Sequence, residues 1–118
     1  MIYTAQYRYS GPGRLDITVK GQDPRGKLLA PTWDMVMGYK NGTLNEEQYT
    51  QMYFELMQIR FSQNPQLWME IADSTEDIVL VCFCPAGVFC HRHLAAQILH
   101  SLGAQLGGEI HVGKNTSR

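Results

Sequence analysis

The sequence has little of what marks several large classes of protein. Its three cysteines are too few for the disulfide framework of a small secreted domain. No apolar run approaches the roughly 18 residues that a membrane helix needs, and the N-terminus, MIYTAQYRYS, lacks the basic and apolar layout of a signal peptide. A net charge of -1 gives no support to a general nucleic-acid-binding surface. We therefore expect a soluble, cytoplasmic protein whose cysteines are reduced thiols.

The length and composition predict one domain. Hydrophobic residues make up 44% and charged residues 18% of the 118 residues, and no internal repeat or low-complexity tract interrupts them. Residues 1–112 are expected to form a single α/β domain, and residues 113–118 a polar C-terminal tail.

Four segments have the pattern of β-strands. IYTAQYRY alternates between two faces over residues 2–9, and LDITV does the same over residues 15–19. The apolar run from Ile78 to Phe83 is rich in β-branched residues, which predicts a central parallel strand that is covered on both faces. EIHV, residues 109–112, predicts a short last strand.

Helical patterns fill the middle of the chain. PTWDMVMGYKNG and LNEEQYTQMYFELMQIRF each space their apolar residues helically, and a capping box of Asn45 and Gln48 opens the second. Asn64 and Pro65 open another helix, and a last one begins near Cys90, whereas GQDPRG indicates a break. Strands at both ends with helices between them predict a small sandwich with a mainly parallel central sheet flanked by helices.

All three cysteines lie in CFCPAGVFCHRH, directly after the predicted central strand. Ligands of open α/β sheets bind beyond the carboxyl ends of the strands, so this loop is the candidate site. Arg92 would lie in the first turn of the following helix, where the macrodipole disfavours a cation by about 0.3–1 kcal/mol. A negative group should compensate, either a bound anion or an internal carboxylate such as Asp16 or Asp34.

The same loop carries groups suited to catalysis. A cysteine beside Arg or His at a helix start favours a thiolate, which makes Cys90 and Cys84 candidate nucleophiles, and His91 could donate or accept a proton. Cys82 is interpreted as a small hydrophobe in the strand. A metal site is disfavoured, because Cys82 and Cys84 would share one strand face and no Cys-x2-Cys pair exists. No cofactor is predicted.

VCFCPAGVFCHRHLAAQIL resembles the signature of the family of unknown function 488, in which an apolar strand ending in a cysteine leads to Cys-His-Arg at a helix start. Cys82 matches the strand cysteine, and the triplet Cys90 to Arg92 matches Cys-His-Arg. IYTAQY and GKLLAPTWDMVMGYKNG resemble two further segments of its phage-type members. The resemblance implies a small α/β fold and a phage or prophage origin, with the host cytoplasm as location. The family usually carries Glu where this sequence has Cys84, so a mechanism that uses that carboxylate does not transfer.

The segments of the resemblance suggest further pocket residues. Lys27, Trp33 and Tyr39 lie in the upstream segment, and Tyr7 lies in the first strand. The simpler interpretations place Trp33 in the core and Lys27 on the surface. Gly87 would shape the turn that brings backbone N–H groups toward a ligand.

Two hypotheses follow for the function. In the first, loop 84–93 forms a pocket for a small anionic or nucleotide-like ligand, which Arg92 and His93 help to hold, and the protein is a candidate enzyme. In the second, the protein is a non-catalytic, phage-type interaction protein that binds a host protein, and its Cys-His-Arg element is structural.

Overall fold

The computed structural model describes residues 1–83 and 89–112, and within these ranges it contains four strands and five helices. Their order along the chain is β1 (Ile2–Gln6), β2 (Arg14–Asp16), α1 (Pro24–Leu29), α2 (Trp33–Lys40), α3 (Glu46–Gln63), α4 (Pro65–Ala72), β3 (Ile78–Cys82), α5 (His91–Ser101) and β4 (Leu106–Ile110). The strands form one sheet in the order β2-β3-β1-β4, and each neighbouring pair is parallel. The predicted α/β fold is confirmed.

The strand β3 is central and buried along its whole length. It pairs with β1, where Ile78 lies opposite Ile2, and with β2, where Leu80 lies opposite Leu15. All five of its residues are buried. The unbroken apolar run was therefore a correct signal of a strand that is covered on both faces.

The two faces of the sheet are covered differently. One face packs against a large core that contains a residue from each described helix, namely Leu29, Met35, Tyr53, Trp68 and Leu99. On the other face, Ala5, Val79 and Val81 form a small cluster that is covered by the side chains of Tyr3, Tyr7, Tyr9 and Ile110. The helices lie on the first face. The alternating residues of IYTAQYRY, Tyr3, Ala5, Tyr7 and Tyr9, lie on the second face.

The strand ends differ from the prediction for local reasons. The N–H of Tyr9 donates to the carbonyl of Gln6 at 3.0 Å, so the chain turns where β1 was expected to continue to residue 9. The Asp16 carboxylate accepts from the N–H and hydroxyl of Thr18 at 2.8 and 2.7 Å, and this local bonding ends β2 three residues early. The last strand begins at Leu106 rather than at residue 109.

The helix α1 was missed, because GQDPRG was interpreted as a break. Asp23 accepts from the N–H of Arg25 at 2.9 Å, and Pro24 occupies the first turn, so Asp-Pro marked a helix start. Gly26 allows α1 to approach the sheet, since a Cβ at this position would collide with the carbonyl oxygen of Asp16.

The predicted helix caps are present. Asn45 accepts from the N–H of Gln48 at 2.8 Å, and the Gln48 side chain accepts from the N–H of Asn45 at 2.9 Å. Asn64 accepts from the N–H of Leu67 at 3.2 Å, and Gly103 follows α5 with a φ of 111°. Among the described helices, none is long and apolar enough to cross a membrane.

Candidate functional site

A cleft of about 520 Å³ lies at the carboxyl end of the central strand. The described residues that line it come from the end of β3, the segment after β2, the helices α2 and α3, and the start of α5: Thr18, Val19, Lys20, Pro31, Trp33, Val36, Tyr39, Lys40, Tyr49, Cys82, Phe83, Phe89, Cys90 and His91. Small-molecule sites of about 300–1,000 Å³ are common, and this edge of an open α/β sheet is where they occur.

Aromatic side chains form one wall of the cleft. The ring centroids of Tyr39, Tyr49 and Phe89 lie 5.3 to 5.8 Å from one another, and these rings meet at tilted or edge-on angles. Each such pair of rings contributes about 0.5–1.5 kcal/mol beyond the burial of its surface, so these contacts stabilise the wall. The lining is therefore aromatic on this side.

Trp33 and two lysines lie at the exposed rim of the cleft. Trp33 is 52% exposed, so its interpretation as a core residue is wrong: the buried residues of α2 are Met35 and Gly38 instead. The ammonium nitrogen of Lys20 lies 5.9 Å from the Trp33 ring centroid. Lys40 is also exposed and lines the cleft. The rim thus combines a large ring with two cations.

Cys82, Cys90 and His91 form the buried floor of the cleft. The sulfur atoms of Cys82 and Cys90 are in bonding contact, but the Cα atoms are 7.6 Å apart. Disulfides usually join Cα atoms that are about 4.4–6.8 Å apart, so a relaxed covalent bridge would require the backbone to close up. The two cysteines are therefore adjacent, and the Cα separation favours a pair of thiols over a relaxed disulfide.

His91 is held in one orientation and in its neutral form. Its Nε2 lies 2.7 Å from the carbonyl oxygen of Ile17. Because a carbonyl can only accept, Nε2 carries the proton and donates, and Nδ1 keeps a free lone pair. This Nδ1 lies 3.8 Å from the sulfur of Cys90. Burial lowers the pKa of His91 to about 4, so the ring is an acceptor at neutral pH.

The guanidinium of Arg92 is fully buried, at 0% exposure, and pairs with Glu109. Its Nε and Nη2 donate to the two carboxylate oxygens at 3.2 and 3.0 Å, and its Nη1 donates to the sulfur of Cys82 at 3.1 Å. The carboxylate that compensates this cation is Glu109, not Asp16 or Asp34. Arg92 is not among the described residues that line the cleft.

The surroundings of Glu109 favour its charged form. Burial raises its pKa, but hydrogen bonds from Arg92 and from the hydroxyl of Thr4, with the charge of Arg92, outweigh burial, and the pKa lies below its ordinary value of 4.5. His93 is half-buried nearby, and burial and the charge of Arg92 lower its pKa.

Of the remaining predicted site residues, those that the structure describes lie apart from the cleft lining. Lys27 is exposed on α1, as its simpler interpretation predicted. Tyr7 stacks on Phe83, with ring centroids 4.2 Å apart, and donates to Asp16 at 3.3 Å. The predicted roles of Cys84 and Gly87 fall outside the described residues. Of the predicted site residues, the cleft brings together Trp33, Cys90 and His91, with Tyr39 and Cys82.

Sequence reasoning missed three charged residues of this region. Lys20 directly follows the second predicted strand, on the edge where ligands bind, and this position was an unused signal. Lys40 lies in the last turn of α2, where its charge also suits the helix dipole, so it has an ordinary explanation. Glu109 carries no sequence signal, because its contact with Arg92 depends on the pairing of β4 with β1.

A comparison of the sequence with models of protein families gave a match over most of the chain. The family model DUF488-N3a, described as the active DUF488-N3 subclade, matches residues 3–103. The chain belongs to the DUF488 family. This match confirms the resemblance that the strand cysteine and the Cys-His-Arg triplet indicated. A comparison with curated proteins gave no match, and a comparison with solved structures gave none either.

Proposed function

We propose that this DUF488 protein binds a small nucleotide-like ligand, one with a planar ring and an anionic group, in the cleft at the end of β3. The observation that carries this proposal is the composition of the cleft: an aromatic wall and an exposed tryptophan, with two lysines at the rim and reactive groups at the floor. A volume of about 520 Å³ accommodates a ligand of that size.

The ring of the ligand is assigned to Trp33 and the aromatic wall. Stacking of a base on an aromatic side chain contributes about 1–3 kcal/mol and tolerates different bases, since each base has a π-face. Trp33 supports this role because it is exposed at the rim, where its indole face is not needed by the core.

The anionic group of the ligand is assigned to Lys20 and Lys40. A lysine ammonium is a mobile point charge that suits a phosphate at the mouth of a cleft. The prediction that Arg92 holds the anion is replaced in this proposal, because Glu109 already balances its charge from 3.0 Å. Arg92 positions the sulfur of Cys82 instead.

Cys90 and His91 are assigned to the chemistry. The neutral His91 presents the lone pair of Nδ1 toward the Cys90 thiol, so it can accept the thiol proton while the sulfur attacks an electrophilic atom of the ligand. The bond from that atom to its leaving group breaks in this step, and His91 returns the proton to the leaving group. The description of the matching family model as an active subclade supports an enzymatic role. Both residues work as proposed in a reducing compartment, for which we propose the cytoplasm.

Calorimetric titration with nucleotides, nucleosides and inorganic phosphate tests the binding proposal. We expect saturable binding of at least one nucleotide, and a loss of about tenfold or more in affinity for Trp33→Ala. Ile59→Ala is the matched control, because Ile59 is similarly exposed, at 56%, and does not line the cleft. Equal affinity of both variants for each bound compound would contradict the assignment.

The second candidate function is a non-catalytic interaction protein, for instance of phage origin, that binds a host protein. The burial of Arg92 and its pairing with Glu109 favour this second function, because the arginine of the Cys-His-Arg triplet then has a structural role. If the titrations show no binding while a purified host protein binds stoichiometrically, and Cys90→Ala leaves that binding unchanged, this candidate replaces the first.

A further inference from the structure

We propose that Cys82, Cys90 and His91 form a binding site for Zn²⁺ at the floor of the cleft. The two sulfur atoms and a ring nitrogen of His91 lie within 4.8 Å of one another, and all three residues are buried. Thiolate and imidazole are the ligands that zinc prefers in proteins. The sequence analysis disfavoured a metal site because it considered Cys82 together with Cys84 on one strand. The ligands that join Cys82 in the structure are Cys90 and His91, at the start of α5.

The environment of His91 is that of a metal ligand. A ligating histidine usually donates its second ring N–H to a carbonyl or a carboxylate, which fixes the ring and raises its basicity. The N–H at Nε2 makes this bond to the carbonyl of Ile17 at 2.7 Å. The lone pair at Nδ1 is thereby left free on the side of the Cys90 sulfur, which lies 3.8 Å away.

The charges of the site suit a divalent cation. Two thiolates balance one Zn²⁺, and Arg92 is balanced by Glu109. The buried cluster is then neutral as a whole, which removes most of the cost of burying its separate charges. Arg92 also donates to the sulfur of Cys82, and such a donor stabilises a bound thiolate.

The spacing of the backbone fits a bridging metal better than a disulfide. The Cα atoms of Cys82 and Cys90 are 7.6 Å apart, which exceeds the usual limit for a disulfide of about 7 Å. Zinc–sulfur bonds of about 2.3 Å at a tetrahedral angle hold two sulfur atoms about 3.8 Å apart, so a metal-bridged pair spans a wider gap. The side chains have to turn apart, but the backbone does not have to close.

Three protein ligands leave a fourth position of a tetrahedral ion open, as in catalytic zinc sites. All three ligand residues line the cleft, so we assign that position to water or to an atom of a ligand in the cleft. Zinc binding does not require the proposed nucleotide binding. A bound Zn²⁺ would occupy the sulfur of Cys90 and the Nδ1 lone pair of His91. The proposed proton transfer between these two residues therefore applies only to the metal-free protein.

Cobalt titration of the reduced, chelator-treated protein tests the site. We expect one equivalent of Co²⁺ to produce a thiolate-to-cobalt charge-transfer band, and Zn²⁺ to displace the cobalt. Titration calorimetry of Zn²⁺ in buffers of different ionisation enthalpy should show two protons released, one from each thiol. Cys82→Ser, Cys90→Ser and His91→Gln should each weaken binding by at least about tenfold, while Cys84→Ser should not.

Circular dichroism of each variant separates loss of a ligand from loss of the fold, and Cys90→Ala gives a second test with a smaller change in polarity. A folded, reduced parent protein that shows no cobalt band would overturn the proposal. So would a band that survives in Cys82→Ser and is lost in Cys84→Ser. Nucleotide titration in the presence of chelator keeps the two proposals separate, because it tests the cleft without the metal.

Discussion

Arg92 and Glu109 form a two-point ion pair that joins the start of α5 to the edge strand β4, with N–O distances of 3.2 and 3.0 Å. The third nitrogen of the same guanidinium donates to the sulfur of Cys82 at 3.1 Å. The pair therefore connects the edge of the sheet to the floor of the cleft. The arginine of the Cys-His-Arg triplet is buried and contacts other residues of the protein.

Glu109→Gln should destabilise the protein. The variant keeps the shape of the side chain but leaves the buried guanidinium of Arg92 without its balancing charge, and we expect a loss of about 2 kcal/mol in the free energy of unfolding. Urea denaturation measures this loss. Glu70→Gln, a change on the exposed face of α4, should stay within about 0.5 kcal/mol of the parent. Equal effects of the two changes would contradict the role of the pair.

The contribution of Glu109 should depend on pH. Its pKa is below 4.5 in the folded protein, so its contribution is fully present above about pH 4.5 and is lost as the pH falls through the folded pKa. The difference in unfolding free energy between the parent and Glu109→Gln should be constant from neutral pH to about pH 5 and should shrink below that. Denaturation series at several pH values measure it, and a difference that grows on acidification would refute the assignment.

The sequence predicted the elements that follow from local rules. The run that begins at Ile78 is apolar at each position, and this pattern predicted a strand that is buried on both faces. The cap formed by Asn45 and Gln48 was predictable because both residues lie in the same helical turn. The predicted end of β2 was wrong because the Asp16 carboxylate accepts from Thr18, and the alternation of apolar residues does not indicate such a local hydrogen bond.

The rule for open sheets directed attention to the end of the central strand, where the structure has a cleft that Cys90 and His91 line. That this cleft is a ligand site stays a prediction. The partner of Arg92 was not predictable, because Glu109 reaches it only through the pairing of β4 with β1. The meeting of Cys82 with Cys90 was not predicted, because the two residues are 8 positions apart across a segment that has no periodic pattern.

Lys20→Ala combined with Lys40→Ala should weaken nucleotide binding selectively. Two exposed charge contacts contribute about 0.7 kcal/mol each, so we expect an affinity loss of about tenfold for a nucleoside monophosphate and none for the nucleoside. Titration at low and high salt checks the origin of the effect, which should diminish as salt increases. Lys27→Ala removes an exposed lysine outside the cleft and should change neither affinity. An equal loss for nucleoside and nucleotide would argue against a phosphate contact.

His91→Gln should slow the alkylation of Cys90. The glutamine amide can still donate to the carbonyl of Ile17, but it has no basic nitrogen that can take the thiol proton, and a positioned base contributes at least about 100-fold to such a step. The rate of iodoacetamide modification of the Cys90 peptide, followed by mass spectrometry in the presence of chelator, measures this effect. His111→Gln, which changes an exposed histidine, is the control. An unchanged rate in His91→Gln would show that His91 does not act on this thiol.

The central claim is that a ligand ring occupies the cleft beside Trp33, and tryptophan fluorescence tests it most directly. The chain has two tryptophans, of which Trp33 is 52% exposed at the rim and Trp68 is fully buried in the core. Titration of the chelator-treated protein with the nucleotides that bind in calorimetry should quench the emission saturably, and the quenching should disappear in Trp33→Phe. Quenching that persists in Trp33→Phe, or binding without any change in emission, would contradict the account.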